Sequence, residues 1–342
     1  MPENLTDILS LDDVRALLKT LPAADDRAAE LARRREPQLT KPGGSLGRLE
    51  DIAAWLAAWQ GRHPPAVERV KIAVFAGNHG VTAEGVSAFP AEVTHQMVAN
   101  FEAGGAAINQ LCGVAGADLE VVALDLDNPT GNFAQVPAMT GEKCAAAFRR
   151  GMEAAAPGYD VICVGEMGIG NTAAAAAICH AIHGGEAGDW VGPGTGIAGD
   201  ALATKVRVVA ESVARHQAAL GDGLDILAHL GGRELAAIAG AITQARLGRQ
   251  PVVLDGYVTG AAAACLAAAA PGALDHCIAG HVSTEPGHIR LLDRLGMAPL
   301  LDLGMRLGEA SGAALAVNIL KAAAVCHAGM ATFGEAGVTD KD

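Results

Sequence analysis

Aromatic residues and positive charge are both scarce in this chain of 342 residues. Phe, Trp and Tyr make up 3% of the sequence while 51% is hydrophobic, so the core must be built from small aliphatic side chains that let backbones approach closely. Lys and Arg total 25 against 38 Asp and Glu, a formal net charge of −13. This balance repels phosphate backbones, and no basic run extends beyond Arg33–Arg35, so we expect no nucleic-acid partner.

Segments that would place the chain in a membrane or an oxidising compartment are also missing. The best candidate span, Val258–Leu274, is mostly Ala and is interrupted by Gly260 and Pro271, so we expect no membrane association. The N-terminus lacks the basic flank and apolar run of a signal peptide. Seven scattered cysteines contain no C-x-x-C pair, which argues against a disulfide framework or a thiolate zinc site. The sequence therefore predicts a cytoplasmic protein.

What the sequence does contain is an alternation of short apolar runs with Ala-rich helical stretches. The predicted strands are Val70–Ala76, Leu119–Asp125, Tyr159–Gly165, Pro251–Gly256 and Cys277–Ser283. The predicted helices between and after them are 91–112, 142–156, 171–183, 200–218, 233–247, 258–270 and 287–295. Near-continuous apolar strands are typical of a sheet covered on both faces. The pattern predicts an α/β fold: a mostly parallel, Rossmann-like sheet with helices on both faces.

The two ends of the chain have a different character. Residues 6–35 and 46–60 are predicted to form polar, amphipathic helices, and Pro64–Pro65 indicates a break before the first strand. A last helical stretch is predicted over roughly 304–334. We therefore expect N-terminal helices (1–64) and a C-terminal segment (301–342) to join in a small helical domain. Residues 65–300 would form the large α/β domain that carries the site.

Polar residues and glycines concentrate where the predicted strands end, which is where open parallel sheets bind ligands. One such segment, Gly192–Gly196 (GPGTG), resembles a dinucleotide fingerprint, but its third glycine comes one residue early. Thr195 and Lys205 flank a predicted helix start, where backbone amides could cradle a phosphate. A plain tight turn is the alternative. No P-loop motif is present.

Two carboxylates in glycine-rich surroundings are candidate catalytic groups. Glu166 either caps the following helix by accepting its amides or orients a ligand or acts as a base. Glu309 either stabilises the first turn of a helix or serves as a general base whose proton affinity is raised by an apolar pocket. Local sequence leaves both pairs of interpretations open.

The histidines invite a metal hypothesis that their spacing does not favour. His79, His281 and His288 match neither H-E-x-x-H nor the deaminase pattern. His79 after a strand is predicted to be a buried hydrogen-bonding group instead. A G-x-S-x-G elbow is absent, which argues against an α/β-hydrolase.

Taken together, several separated segments resemble one family, the nicotinate-nucleotide–dimethylbenzimidazole phosphoribosyltransferases of cobalamin biosynthesis. The matching segments, in family order, are 41–50 (KPGGSLGRLE), 78–90 (NHGVTAEGVSAFP), 165–172 (GEMGIGNT), 255–256 (DG), 281–283 (HVS) and 306–314 (RLGEASGAA). Two departures are visible: Asn78 stands where the family usually has Asp, and Gly43 where it usually has Pro. The first puts an electrostatic role at that position in doubt, and the second should only loosen a turn.

The resemblance implies transfer of phosphoribose from nicotinate mononucleotide to 5,6-dimethylbenzimidazole, with no metal or organic cofactor and with a homodimeric enzyme. It implies Glu309 as the base and Glu166 as the second acidic site residue. Further contacts implied for the nucleotide are Gly168, Asn171, Gly194, Thr195, Lys205 and Ser283. The benzimidazole slot would be lined by Phe89, Gln96, Met305 and Leu307, with Met97 competing for the place of Gln96.

Two other functions fit the sequence less well. A nicotinamide-dependent oxidoreductase would need an intact dinucleotide fingerprint after the first strand, where the chain instead reads GNHG (77–80). A non-catalytic nucleotide-binding sensor could keep the glycine loops, but it would have no use for Glu309 and Glu166 in their motifs.

Overall fold

A computed structural model describes residues 8–155 and 157–339. Five strands form one parallel sheet in the order β2-β1-β3-β4-β5. They are β1 Val70–Ala76, β2 Ala117–Ala123, β3 Val161–Met167, β4 Val252–Leu254 and β5 Cys277–Ala279. The predicted α/β class with a parallel sheet is confirmed, and β1 has the predicted bounds.

The third strand ends later than predicted, and this matters for the site. Pairing with β1 continues through Phe75 opposite Glu166 and Ala76 opposite Met167. Glu166 therefore lies within β3 rather than in the turn after it. The apolar run alone could not reveal this, because the charged Glu166 interrupts the run while backbone pairing carries the strand past it to Met167.

Helices cover both faces of the sheet. Their bounds are α1 Leu11–Leu18, α2 Asp26–Arg35, α3 Arg48–Gln60, α4 Glu92–Glu102, α5 Ala107–Ala115, α6 Gly141–Ala154, α7 Asn171–His183, α8 Gly199–His216, α9 Gly223–Leu230, α10 Arg233–Leu247, α11 Tyr257–Ala269, α12 Pro286–Leu295, α13 Ser311–Gly329 and α14 Phe333–Ala336. Four short 3-10 turns, 36–38, 80–84, 187–189 and 217–219, complete the helical elements of the described residues.

Two helix predictions were wrong, and one helix was missed. The single helix expected over 91–112 is divided into α4 and α5 because Gly104, with φ +77°, turns the chain between them. Helix α9 was not predicted. The C-terminal helix begins at Ser311 rather than near residue 304, because Gly308, Glu309 and Ala310 all take positive φ.

Alternating residues of the strands feed two cores. Ala73 and Phe75 of β1 pack into the larger cluster, beneath α6, α7, α10 and α11. Ile72 and Val74 face the other side, where α3, α5 and α13 supply Leu56, Ile108 and Leu320 among others. Helix α1 belongs to the first side, since Val14 and Leu17 join the larger cluster.

Glycine allows the helices α6 and α10 to touch through their backbones. A Cβ added at Gly151 would lie 1.7 Å from the carbonyl oxygen of Ala237, and one at Gly240 would lie 1.8 Å from that of Phe148. The high content of small residues, noted in the sequence, therefore allows these two helices to pack closely.

Among residues 8–155 and 157–339, one helix, α13, is long and apolar enough to cross a membrane by length and composition. Half of its apolar window is buried inside the protein, and core helices of globular proteins pass the same test. The stretch considered from sequence, 258–274, corresponds to the shorter α11, whose residues Tyr257–Leu266 are buried.

Candidate functional site

A cavity of about 470 Å³ opens beyond the carboxyl ends of β3, β4 and β5. One wall comes from α4 and the loop before it, and the opposite wall comes from the loop that precedes α13. Its lining residues are Phe89, Val93, Met97, Glu166–Ile169, Asn171, Thr172, Gly194, Thr195, Gly256–Val258, His281, Ser283, Glu285 and Arg306–Glu309. The site therefore lies where the concentration of polar and glycine residues in the sequence predicted it.

Nine of the twelve predicted site residues line this cavity. They are Phe89, Glu166, Gly168, Asn171, Gly194, Thr195, Ser283, Leu307 and Glu309. They come from loops and strand ends far apart in sequence, so their convergence is a property of the fold rather than of any one motif.

Gln96, Met305 and Lys205 do not line the cavity. Val93 and Met97, four residues apart, share the face of α4 that turns to the cavity, while Gln96 is exposed to solvent. The backbone carbonyl of Met305 accepts a hydrogen bond from the Thr284 amide at 3.0 Å, which joins the loop before α13 to the loop after β5.

Lys205 is fully buried beneath the glycine loop. Its Nζ donates to Thr172 Oγ1 at 2.8 Å and to the carbonyl oxygen of Gly192 at 3.0 Å. Burial lowers the pKa of Lys205 to about 8. The loop is also held by Glu285, whose Oε1 accepts the Gly194 amide at 2.9 Å. Lys205 thus supports the loop and does not face the cavity.

Glu309 precedes α13 and does not lie in its first turn. Its φ is +61°, and its side chain is only 5% exposed. Its Oε2 is buried and has no hydrogen-bond partner within the described residues. Burial raises the pKa of this carboxyl, and the backbone N–H of Ile108 opposes the shift.

The helix-stabilising role considered for Glu309 is filled by another residue. Asp255, just after β4, accepts the amides of Gly312 and Ala313 on Oδ1 at 2.8 and 3.0 Å. Glu309 is therefore not needed at the start of α13, and the interpretation that it stabilises the first turn of that helix is wrong. Its one backbone partner is the Ile108 amide in the first turn of α5, and its Oε2 is left for the cavity.

Glu166 does not cap a helix either. It accepts a hydrogen bond from the side-chain amide of Asn171, the first residue of α7, and not from the backbone amides of that helix. Desolvation raises the pKa of Glu166 to about 8, and repulsion from Asp255 and Glu234 adds to the shift. The hydrogen bond from Asn171 acts in the opposite direction. The raised pKa favours the protonated form of this group at neutral pH.

The rim of the cavity is apolar and carries one cation. Phe89 and Leu307 are 52% and 55% exposed, an unusual degree for large apolar side chains. Arg306 is the one Lys or Arg side chain among the lining residues, and its guanidinium donates to the carbonyl oxygen of Gly194 at 3.1 Å. Arg306 was not predicted as a site residue, although it opens the motif at 306–314 and so could have been found there.

The buried histidines serve as hydrogen-bonding groups. His79 pairs with Glu234 through Nε2, as predicted, and His288 Nδ1 accepts the Ser283 amide at 2.9 Å. No group of three or more His, Cys, Asp or Glu side chains in residues 8–155 and 157–339 is arranged to hold a metal ion.

Comparison with known proteins assigns this geometry to a family. A family model described as Phosphoribosyltransferase matches residues 21–338. The nicotinate-nucleotide–dimethylbenzimidazole phosphoribosyltransferases of Sinorhizobium medicae and Rhizobium etli are 59% and 60% identical over 333 residues, covering 97% of this chain and 98% of theirs. The crystal structure of CobT from Thermus thermophilus superposes with a TM-score of 0.87 at 45% identity, covering 92% of this chain and 100% of that one. The chain belongs to the nicotinate-nucleotide–dimethylbenzimidazole phosphoribosyltransferase family.

Proposed function

We propose that this enzyme transfers the phosphoribosyl group of nicotinate mononucleotide to 5,6-dimethylbenzimidazole, giving α-ribazole 5′-phosphate and nicotinate for the nucleotide loop of cobalamin. The observation that carries the proposal is Glu309, a buried carboxylate with an unpartnered oxygen in a cavity whose rim is apolar. A flat, apolar heterocycle with one acidic N–H is the kind of acceptor that such a cavity suits.

The chemistry needs one base and no acid. The C1′–N bond of the donor breaks with its electron pair moving to the pyridinium nitrogen, so nicotinate leaves without being protonated. The unprotonated ring nitrogen of the benzimidazole forms the new bond to C1′ from the opposite face. Its second nitrogen loses a proton to the carboxylate of Glu309. One carboxylate in the correct protonation state therefore suffices.

The nucleotide is assigned to the strand-end side of the cavity. Glu166, Gly168 and Asn171 would contact the nicotinate nucleotide, with Glu166 acting as a neutral hydrogen-bonding acid because of its raised pKa. Gly194, Thr195 and Ser283 would hold its phosphate or ribose together with the Arg306 guanidinium. Lys205 would act through the loop it supports, since its ammonium group is occupied beneath that loop.

The acceptor is assigned to the apolar wall. Phe89 and Leu307 would cover the benzimidazole ring, and Met97 takes the place first given to Gln96. Met305 would act only indirectly, through the backbone hydrogen bond that it accepts from Thr284. The oxidoreductase and sensor alternatives are not supported by any of these contacts.

The direct experiment is incubation with nicotinate mononucleotide and dimethylbenzimidazole, with nicotinate release followed by chromatography. Glu309→Gln should lower kcat by about 10²–10⁴-fold, the usual contribution of a general base. It should leave binding of the nucleotide, measured by calorimetry, unchanged because the amide has the same shape. Turnover at the wild-type rate in Glu309→Gln would exclude it as the base.

We also propose that the protein is a cytoplasmic homodimer. Each subunit would consist of N-terminal helices (1–64), an α/β domain (65–300) and a C-terminal segment (301–342) that returns to the site. Helix α1 is the exception to that plan, because it packs on α6. Apolar side chains left exposed on α5 and α13, Val114 at 69% and Val325 at 68%, are consistent with burial between two copies. Light scattering on the purified protein gives the mass that decides this point.

A further inference from the structure

Asp255 is a buried carboxyl close enough to the candidate base to repel it, and it has no part in the proposed chemistry. It is 1% exposed and follows β4 by one residue. Its Oδ1 accepts the amides of Gly312 and Ala313, the second and third residues of α13. These amides are among the first four of a helix, which have no partner within it.

The helix cannot satisfy these amides with its own residues. Its N-cap is Ala310, which has no polar side chain, and no side-chain cap is formed there. A remote carboxylate at the end of a buried strand therefore takes the place of the Ser, Thr or Asp that helices normally use. The position of the first turn of α13 is thereby tied to the sheet.

The two residues that precede α13, Glu309 and Ala310, are held in an unfavourable backbone conformation. Glu309 and Ala310 have φ of +61° and +63°, a region that residues with a Cβ rarely occupy. The Glu309 amide donates to the carbonyl oxygen of Glu166 at 3.2 Å, and Ala310 packs on Gly165, where an added Cβ would be 2.2 Å from the Ala310 nitrogen. Such a conformation persists only when its surroundings fix it from several sides.

The charges around Asp255 do not explain its presence. The histidine paired with it is His281, with Nε2 3.6 Å from Oδ1, and burial lowers the pKa of that histidine and so disfavours its charged form. The remaining ionisable neighbours are the carboxyls of Glu166 and Glu309 and the thiol of Cys163. No Lys or Arg within the described residues forms an ion pair with Asp255.

We infer that Asp255 is a positioning residue for the reaction: by capping α13 from the end of β4, it fixes the left-handed Glu309–Ala310 segment and so places the Glu309 carboxylate at the acceptor. The inference rests on the proposed role of Glu309. It predicts that the capping oxygen of Asp255, rather than its charge, is what turnover requires.

The test compares Asp255→Asn, which keeps an acceptor oxygen, with Asp255→Ala, which removes it. We expect Asp255→Asn to retain kcat near that of the wild type. Asp255→Ala should lose about 10²-fold in kcat, the scale of a misplaced catalytic group. Its KM for nicotinate mononucleotide should be unchanged. The acid limb of its pH–rate profile should move to lower pH, because a released Glu309 reaches solvent and loses the pKa elevation that burial causes.

The matched control is Asp25, which caps α2 by accepting the Ala28 amide at 2.8 Å and does not line the cavity. Asp25→Ala should lower the Tm without changing kcat per folded molecule or the pH limb. Equal losses in Asp255→Asn and Asp255→Ala would overturn the inference, as would a loss in Asp255→Ala with an unmoved acid limb. If instead Glu309→Gln were fully active, the proposed base would fail, independently of how the Asp255 variants behave.

Discussion

At the scale of single residues, the sequence motifs located the site. They did not distinguish residues that line the cavity from residues that hold its walls in place. Glu166 and Glu309 could be chosen from sequence because each is an acid amid glycines and small residues. Arg306, in the segment of Glu309, and Asp255, in a segment of its own, had no assigned role, because their importance depends on contacts with Gly194 and with the start of α13. Only the folded backbone brings those segments together.

The departure at position 78 illustrates the same limit. Asn78 is 3% exposed, and its Nδ2 donates to the carbonyl oxygen of Leu126 at 3.0 Å. An ionised Asp cannot donate that bond. The change from the usual Asp therefore exchanges a charge for a donor that joins the end of β1 to the loop after β2.

Arg306 provides a prediction at this scale. Arg306→Ala should raise KM for nicotinate mononucleotide by about tenfold, because a charge-assisted contact to phosphate contributes about 1.5–3 kcal/mol and exposure reduces that figure. The difference in KM between the wild type and the variant should shrink as salt is added. KM for dimethylbenzimidazole should stay constant. Arg290→Ala is the control, since Arg290 pairs with Asp189 outside the cavity; an equal effect of both substitutions would point to general electrostatics.

At the scale of elements, the strands could be predicted and some helix boundaries could not. Continuous apolar runs identify strands buried on both faces, so all five were found. The division between α4 and α5 depends on a Gly104 that takes positive φ, and glycine composition alone does not say which of 43 glycines will do so.

Glycine substitutions test the close contact between α6 and α10. Gly240→Ala should reduce the free energy of unfolding by about 1–3 kcal/mol, because the new methyl group would meet the Phe148 carbonyl at 1.8 Å. Gly113→Ala, within α5 and with no atom near its added Cβ, should instead stabilise by about 0.5–1 kcal/mol. Chemical denaturation of both variants gives the comparison. A neutral Gly240→Ala would mean that the two helices can separate at little cost.

At the scale of the whole molecule, buried ionisable groups should set the pH range of greatest stability. Burial raises the pKa of Glu166 to about 8 and that of Asp255 to about 7. Above about pH 4.5 the unfolded chain has released these protons while the folded protein still holds them. Stability therefore falls as pH rises toward 8.

The buried histidines act in the opposite direction at lower pH. Burial lowers the pKa of His276 and His288 to about 3, so between that value and about 6.5 only the unfolded chain is protonated and stability rises with pH. Between pH 6.5 and 8 the carboxyls dominate. We expect the Tm to decrease across that interval in the wild type and to decrease less in Glu166→Gln, measured by differential scanning calorimetry. Parallel curves for the two proteins would contradict the raised pKa of Glu166.

Both ends of α13 are secured by side chains from outside it. Asp255 holds its first amides, and Arg35 of α2 donates to the carbonyl oxygens of His327 and Met330 at its far end, at 3.0 and 2.9 Å. Because only Ala310 separates Glu309 from this anchored helix, we expect the backbone of the base to keep its position as reactants enter and leave. We expect any adjustment to the acceptor ring to fall instead on Phe89 and Leu307, whose side chains are more than half exposed at the rim.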